Sequence, residues 1–310
     1  MVFDRIAQIV PERGQQIRQS ELKPDGWRLE SPAVLRLLEK LRRVGKPLGE
    51  YVNGRFYRGI LTGLNEAFVV DRATRDRLIR EHKSSDEILK PFLRGRDVKR
   101  WRVEPQDLWL IFTRRGIDIK KYPSIYEHLK QFKKQLLAKP ESWDIKRDGE
   151  WPGRKPGSYE WFEIQDNIAY WQEFDQPKIV YPNICKRNEF AWDSENFLTN
   201  QKAFIIPNAS KYLLAVLNSE VVRFLFEKLL TRLQNGFYEP SSIYIKNFPI
   251  PAVSSEKQKP VERLVERILS AKQRDADADV SALEREIDEL VYALYGLTPE
   301  EIKLVEGAAK

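Results

Sequence analysis

The segment from Ile88 to Trp101, ILKPFLRGRDVKRW, concentrates positive charge around a glycine and carries an aromatic residue on each side of it. Residues 90–102 hold six lysines and arginines against one aspartate. Dense positive charge, flat rings and a tight turn suit a phosphate-lined surface. A basic run is also the usual composition of a solvated protein face. Taken alone, the run is therefore more often a solvated face; for a polyanion contact, the candidate residues are Arg94, Arg96, Lys99 and Arg100.

A second candidate contact is the segment 149–161, GEWPGRKPGSYEW, whose three glycines and two prolines exclude a helix or a regular strand. Basic and aromatic residues alternate with these breakers. The pattern predicts an exposed loop that enters a nucleic-acid groove, where an arginine reads guanine and the rings contact bases or sugars. An ordinary surface loop is the alternative. The residues predicted to make the contacts are Arg154, Lys155, Tyr159 and Trp161.

Two further basic pairs follow predicted strands. Arg114 and Arg115 come after the apolar run 108–112, and Lys186 and Arg187 come after the run 178–181. Loops that follow strands are common positions for binding residues, because a rigid scaffold holds them at the surface. We therefore add these four residues to the candidate nucleic-acid contacts.

Catalytic motifs are absent from the sequence. It contains neither a G-x-G-x-x-G turn nor a phosphate-cradling P-loop, and its two histidines, His82 and His128, lie outside any H-E-x-x-H context. The tripeptide D-x-K, which metal-dependent nucleases use, occurs three times among basic neighbours, as chance predicts for a chain with 32% charged residues. We therefore assign no catalytic residue, no metal ligand and no cofactor to this chain.

The net charge of +7 is unevenly distributed. Residues 256–310 hold 9 basic and 13 acidic side chains, and the other residues hold 44 basic and 33 acidic ones, a balance of +11. This favours a polyanion partner for the body of the protein alone. No apolar run approaches the roughly 20 residues of a membrane span, and the first residues lack a signal-peptide pattern. A single cysteine, Cys185, fits a reducing cytoplasm, so we expect a cytoplasmic protein without a membrane partner.

The hydrophobic patterning divides the chain into three parts. Residues 1–45 read as a linker followed by a helix, which Ser31 caps and Gly45 ends. Residues 46–252 mix short strands with short helices, so the predicted fold class is mixed α/β (α+β). Residues 253–310 carry two apolar stripes at helical spacing, which predict a C-terminal helical hairpin.

Five landmarks between about residue 46 and residue 252 resemble the TaqI-like C-terminal specificity domain. They are GILTGLNEAF (59–68), the basic run 88–101, KIVYP (178–182), LNS (217–219) and FPIP (248–251), and the ending LVYALYGLTPEE (290–301) resembles the helices that follow this domain. The resemblance implies a target recognition domain akin to type I specificity subunits, with double-stranded DNA as its partner. It also implies a catalytic domain, in the same or another chain, that uses S-adenosylmethionine; magnesium remains open.

The family resemblance and the missing motifs together favour one interpretation. An adenine methyltransferase of this kind needs an Asn/Asp-Pro-Pro-aromatic tetrapeptide, and this chain has no Pro-Pro dipeptide. We therefore expect the DNA recognition module of a type IIG-like restriction-modification enzyme or of a phage-defence adenine-N6 methyltransferase, without catalytic activity of its own. A protein-interaction subunit acting through its helical tail, and a complete hydrolase with an unrecognised site, are the alternatives.

Overall fold

The computed structural model describes Val10 and residues 30–307; the remainder of the predicted linker lies outside the described residues. The described strands are β1 (Gly45–Pro47), β2 (Tyr57–Arg58), β3 (Val69–Asp71), β4 (Leu89–Leu93), β5 (Leu108–Ile111), β6 (Lys178–Pro182), β7 (Ala191–Asp193), β8 (Leu198–Thr199), β9 (Ala203–Pro207) and β10 (Pro249–Pro251). The helices are α1 (Pro32–Val44), α2 (Leu48–Tyr51), α3 (Asn65–Phe68), α4 (Arg72–Glu81), α5 (Pro123–Lys130), α6 (Lys133–Leu136), α7 (Ile145–Asp148), α8 (Lys211–Asn218), α9 (Glu220–Leu229), α10 (Ser242–Ile245), α11 (Ser255–Arg274), α12 (Ser281–Tyr295) and α13 (Pro299–Gly307). This mixture of short strands and helices, ending in helices, confirms the predicted fold class.

Most of the strands form two four-stranded sheets. The first has the order β2-β9-β6-β7 and is antiparallel throughout, and the second has the order β3-β5-β4-β8, in which only β4 and β8 run parallel. Strands β1 and β10 form a separate antiparallel pair that ties the start of the body to its end. The two sheets meet where Ile60 bridges to Asn200, directly after β8.

Strand β6 is buried on both faces and separates two hydrophobic cores. Ile179 and Tyr181 point into a core shared with the helices, whereas Val180 points into a core shared with the second sheet. Side chains alternate between the faces of a strand, so consecutive apolar residues serve both cores at once. Every position of KIVYP is buried, so the residues that follow Lys178 form a continuous apolar run.

The C-terminal helices complete the first core. Both apolar stripes predicted for the tail are buried there beside α8 and α9; the fully or largely buried members are Val261, Leu264, Val265, Ile268, Ile287 and Val291. Tyr295 donates a hydrogen bond to the carbonyl of Pro249, at 2.5 Å, which joins α12 to β10. The tail hairpin therefore packs on the body, and its apolar faces are not left for a partner.

A cluster of ionic contacts joins the basic run to α12. Arg100 Nε and Trp101 Nε1 both donate to Oε1 of Glu284, at 2.5 and 2.6 Å. Burial by itself would raise the pKa of Glu284, but the Arg100 charge and these hydrogen bonds bring that pKa below its usual value. One turn further along α12, Asp288 accepts a hydrogen bond from the backbone N–H of Glu220 at 2.8 Å, and burial raises its pKa to about 7.

Arg154 lies inside the protein, contrary to the exposed loop predicted for it. Its relative exposure is 4%, and its guanidinium donates five hydrogen bonds of 2.7 to 3.3 Å to backbone carbonyls. A guanidinium has five N–H donors, so all of them are satisfied. Burial lowers the pKa of Arg154 to about 10, so the group stays charged at neutral pH. The acceptors are the carbonyls of Thr62, Leu136, Glu160, Trp161 and Glu163.

We predict that Asp288 makes stability fall as the pH rises from about 4 to about 7. A carboxyl whose pKa is higher in the folded state contributes stability that is complete below the unfolded pKa and is lost as the pH rises through the folded one. Relative to Asp288→Asn, the native protein should lose about 2 kcal/mol of unfolding free energy between pH 5 and pH 7.5. Urea unfolding at several pH values measures this. Asp277→Asn, at a side chain 97% exposed on the same tail, is the control, and parallel profiles for all three proteins would contradict the assignment.

We predict that Arg154→Met destabilises the fold by about 3 kcal/mol or more, because five backbone carbonyls, three of them in buried hydrogen bonds, lose the guanidinium donor while the aliphatic stem is retained. Lys155→Met, at the exposed neighbouring position, should change the unfolding free energy by less than about 0.5 kcal/mol. Denaturant unfolding of both variants measures the difference. Equal stability would show that the guanidinium contributes nothing to the fold.

Candidate nucleic-acid interface

The glycine of the basic run lies in a tight turn that directly follows β4. The guanidinium of Arg94 binds the carboxylate of Asp97 through two hydrogen bonds of 2.9 Å, and its backbone N–H donates to the same carboxylate at 2.8 Å. A Cβ on Gly95 would come within 2.2 Å of the carbonyl oxygen of Lys202, so only glycine fits there. Arg94 and Asp97 therefore shape the turn, and the ion pair expected between this run and Asp97 is present.

The four candidate residues of the basic run divide into two inward and two outward side chains. Arg94 and Arg100 are occupied by Asp97 and Glu284, so the predicted polyanion contact is wrong for Arg100, whose charge is used inside the protein. Arg96 and Lys99 are exposed, and within the described residues neither forms an ion pair. The ammonium of Lys99 donates to the backbone carbonyl of Arg96 at 2.9 Å, which holds this ammonium beside the turn.

A basic and aromatic pocket of about 270 Å³ opens at the other end of β4. Three cations and one carboxylate line it, together with aromatic rings from three different segments. An excess of positive charge in a concave site raises the local concentration of anions. The residues that line this pocket are Glu87, Ile88, Lys90, Phe112, Arg114, Arg115, Gly116, Ile117, Tyr122 and Trp171.

Stacking on an aromatic ring holds Arg114 in place. Its guanidinium carbon lies 4.1 Å from the ring centroid of Trp171 and 5.7 Å from that of Phe112. An arginine stacked in this way keeps its N–H donors at the edge of the plane, where they are available to a second partner. Arg114 and Lys90 are exposed and form no ion pair within the described part of the chain. These two residues are the available cations of the pocket.

A buried ion pair supports the segment that carries Trp171. Lys178, at the start of β6, lies 2.7 Å from the carboxylate of Asp193, and both side chains have no exposed surface. The same ammonium donates to the carbonyl of Phe174 at 2.7 Å, at the end of the short helical turn that begins at Trp171. The position of Trp171 is therefore set by the sheet rather than by a free loop.

Arg115 is turned toward the protein and braces the pocket wall. Its guanidinium donates to the carbonyls of Ile164 and Gln165 at 2.5 and 2.6 Å and lies 3.6 Å from the carboxylate of Glu163. It also faces the ring of Tyr159, at 5.1 Å from the centroid. Arg154 holds the same stretch of chain from behind through the carbonyls of residues 160–163. Arg154 is thus a positioning residue for this wall, and the prediction that it reads a base is wrong.

The other predicted loop residues are dispersed. Tyr159 is buried, and its hydroxyl donates to the carbonyl of Lys155, while the Lys155 side chain is exposed. Trp161 is half-buried and packs edge-on against Tyr126, at 5.4 Å between centroids. Lys186 is exposed and lies over the ring of Phe237, whereas Arg187 is partly paired with Glu220 at 3.7 Å. The segment 149–161 is therefore mainly structural, with Lys155 at its surface.

Sequence reasoning missed several residues of the pocket. Lys90 was counted in the basic run without being singled out, and the rings of Phe112, Tyr122 and Trp171 were not selected at all. Seven of the eight tryptophans lie between Trp101 and Trp192, but this concentration does not distinguish a pocket ring from a core ring. The structure identifies Trp171 as a pocket ring, because it lines the pocket and stacks on Arg114.

Neither a metal-binding cluster nor a membrane-spanning helix is present within Val10 and residues 30–307. No group of three or more histidine, cysteine, aspartate or glutamate side chains there is arranged to hold a metal ion. No helix of that part is both long enough and apolar enough to span a bilayer.

A curated relative is similar to this chain in sequence, and a solved structure is similar to it in fold. The chain is 21% identical over 291 residues to the type II methyltransferase M.BstVI of Geobacillus stearothermophilus, a match that covers 91% of this chain and 46% of the relative. The type IIL restriction-modification enzyme MmeI, solved in complex with DNA, superposes with a TM-score of 0.59 at 16% identity, over 82% of this chain and 34% of that enzyme. The chain thus spans about half the length of the curated relative it matches.

The family itself is defined by a direct match. Residues 90–250, more than half of the chain, match the sequence profile of the TaqI-like C-terminal specificity domain. The match begins at the second residue of β4 and ends inside β10, and it includes residues 90–101 of the basic run and the pocket wall from Arg114 to Trp171. This chain belongs to the TaqI-like C-terminal specificity domain family.

Proposed function

We propose that this chain is the DNA target recognition module of a type IIG-like restriction-modification methyltransferase. The observation that carries the proposal is the pocket of Lys90, Arg114 and Trp171, which offers exposed cations beside an aromatic plane on a specificity-domain fold. Cations provide most of the affinity of proteins for the phosphate backbone. Aromatic planes beside cations add contacts that bases and sugars accept.

The outward cations form two zones along one strand. Lys90 lies in β4 at the pocket, and Arg96 and Lys99 follow the far end of β4. Five residues of a strand span roughly 17 Å, whereas the major groove of B-DNA is roughly 12 Å wide. The two zones are therefore far enough apart to contact phosphates at separate positions on a duplex. In this arrangement the phosphate contacts orient the module, and loops beside them read bases.

The catalytic step belongs, in this proposal, to a companion domain that uses S-adenosylmethionine and methylates adenine at N6. Two facts support this assignment: the relative M.BstVI is a methyltransferase, and the chain covers only 46% of it. The recognition module would hold the duplex while the companion domain takes the target base out of the stack. The alternative role, an interaction subunit acting through the helical tail, is disfavoured because the apolar stripes of the tail are buried in the body.

The pocket proposal predicts the salt dependence of DNA binding. Lys90→Ala and Arg114→Ala should each weaken binding to every duplex sequence and lower the slope of log affinity against log salt by roughly one unit. Lys303→Ala, which removes an exposed lysine from the acidic tail, is the charge-matched control and should leave the slope unchanged. Fluorescence anisotropy with a labelled duplex at several salt concentrations measures both quantities. Equal slopes for all the variants would exclude the pocket from the interface.

Because recognition is assigned to this chain and catalysis to a companion domain, we predict that the purified 310-residue chain binds duplex DNA and transfers no methyl group. Binding by the isolated module should be weak, with a Kd in the micromolar range or above, as is usual for contacts without sequence readout. Incorporation of tritium from labelled S-adenosylmethionine into DNA is the measurement. Methyl transfer by the chain alone would overturn the assignment of catalysis to another domain.

A further inference from the structure

A small β-ribbon formed by residues 232–238 projects from the body beside the Lys186 loop. Its two arms pair through an antiparallel bridge between Arg232 and Tyr238, and Leu233 donates to the carbonyl of Phe237 at 2.7 Å. The second arm also exchanges two backbone hydrogen bonds with Cys185, of 3.1 and 2.8 Å. The ring of Tyr238 is buried against Phe226, at 6.1 Å between centroids. The base of the ribbon is therefore rigidly attached to the core.

The tip of the ribbon presents two carboxamides to solvent. Gln234 and Asn235 are exposed, and within the described residues neither side chain forms a hydrogen bond. Asn235 has φ 58° and Gly236 has φ 75°. Asparagine and glycine are the residues that tolerate this left-handed region best. The tight turn thus directs polar groups outward without a bulky side chain at Gly236.

Two exposed cations lie at the ribbon, and residues 232–238 themselves include no acidic side chain. Residues 228–238 and 183–188 contain no aspartate or glutamate. Arg232 is exposed and has no ion pair in the described part of the chain, and its guanidinium lies close to Gly236, where an added Cβ would come within 3.4 Å of it. Lys186 is exposed over Phe237, at 5.4 Å from the ring centroid. The ribbon therefore has an amide tip on a cationic base.

We propose that the 232–238 ribbon enters the major groove of the DNA target and that Gln234 and Asn235 read base edges there. The major groove admits a two-stranded ribbon, and it presents the N7 acceptor and N6 donor of adenine, which a carboxamide matches with its own donor and acceptor. Arg232 and Lys186 contact the flanking phosphates, which carry no sequence information. The partner class is an A·T-containing duplex site. This inference rests on the proposed function and assigns its specificity to residues outside the pocket.

The test is the base preference of the full-length protein, obtained by selecting bound duplexes from a random library and sequencing them. Asn235→Gly keeps the left-handed turn and removes the amide, and Gln234→Ala removes the other one. Each should reduce the preference for adenine at one base pair by roughly 10- to 100-fold and leave the other positions unchanged. Asn53→Gly is the matched control, because Asn53 is also exposed and has φ 53°. Arg232→Ala should weaken binding to all sequences alike.

The outcomes separate this inference from the proposed function. A preference that stays the same in Asn235→Gly, Gln234→Ala and the Asn53→Gly control overturns the assignment of base reading to the ribbon. Duplex binding by the native protein without any base preference overturns it as well, while it leaves the pocket contacts intact. Failure of the native protein to bind any duplex overturns the proposed function and this inference together. Equal thermal unfolding of the variants confirms that each change acts at the tip.

Discussion

Burial of strand β6 on both faces is the constraint on which the rest of the structure depends. One face holds the helices and the C-terminal tail, and the other holds the second sheet, which carries the pocket. The strand begins with Lys178, whose buried ion pair with Asp193 also fixes the segment of Trp171. A buried charge is costly unless it is paired and hydrogen-bonded. Both conditions are met here, so the same ion pair stabilises the core and the segment that carries the pocket residue Trp171.

The positive charge of this protein serves two separate purposes. Arg94, Arg100 and Arg154 are used internally, where a planar group with five donors can close a turn, hold a helix or join loops. Lys90, Arg96 and Lys99 face solvent and are available to a polyanion. Counting charges along the chain therefore overestimates the interface. Arginine causes most of this overestimate, because it is the cation best suited to buried hydrogen bonding.

The cations of the pocket and the exposed amides are carried by different elements of the fold. The pocket and the Arg96 turn follow the second sheet, whereas the ribbon is attached to helix α9 through Tyr238 and Phe226. DNA recognition requires both kinds of group, since phosphate contacts provide affinity and base contacts provide discrimination. In the proposed arrangement, the tip of the ribbon can change its base preference without loss of the pocket contacts to the DNA backbone.

The local structure and the family can be predicted from the amino-acid sequence. Ser31, Ser210 and Ser219 cap their helices, and Gly296 ends α12 with φ 62°, because caps and left-handed ends depend on the nearest neighbours in the chain. Apolar periodicity predicted the helical tail for the same reason. Five landmarks in order identified the specificity domain, although the basic run alone was equally compatible with a solvated face.

Which charged residues face outward depends on long-range packing. Arg100 meets Glu284 across 184 residues of sequence, and Arg154 meets the carbonyl of Thr62 across 92 residues. No local pattern encodes contacts at such separations, so Arg154 in a loop rich in glycine and proline has the signature of a surface residue. Its acceptors are backbone carbonyls, which every residue possesses and which leave no trace in composition. The packing of distant segments therefore sets the direction of each of these side chains. It also sets which cations are exposed to solvent.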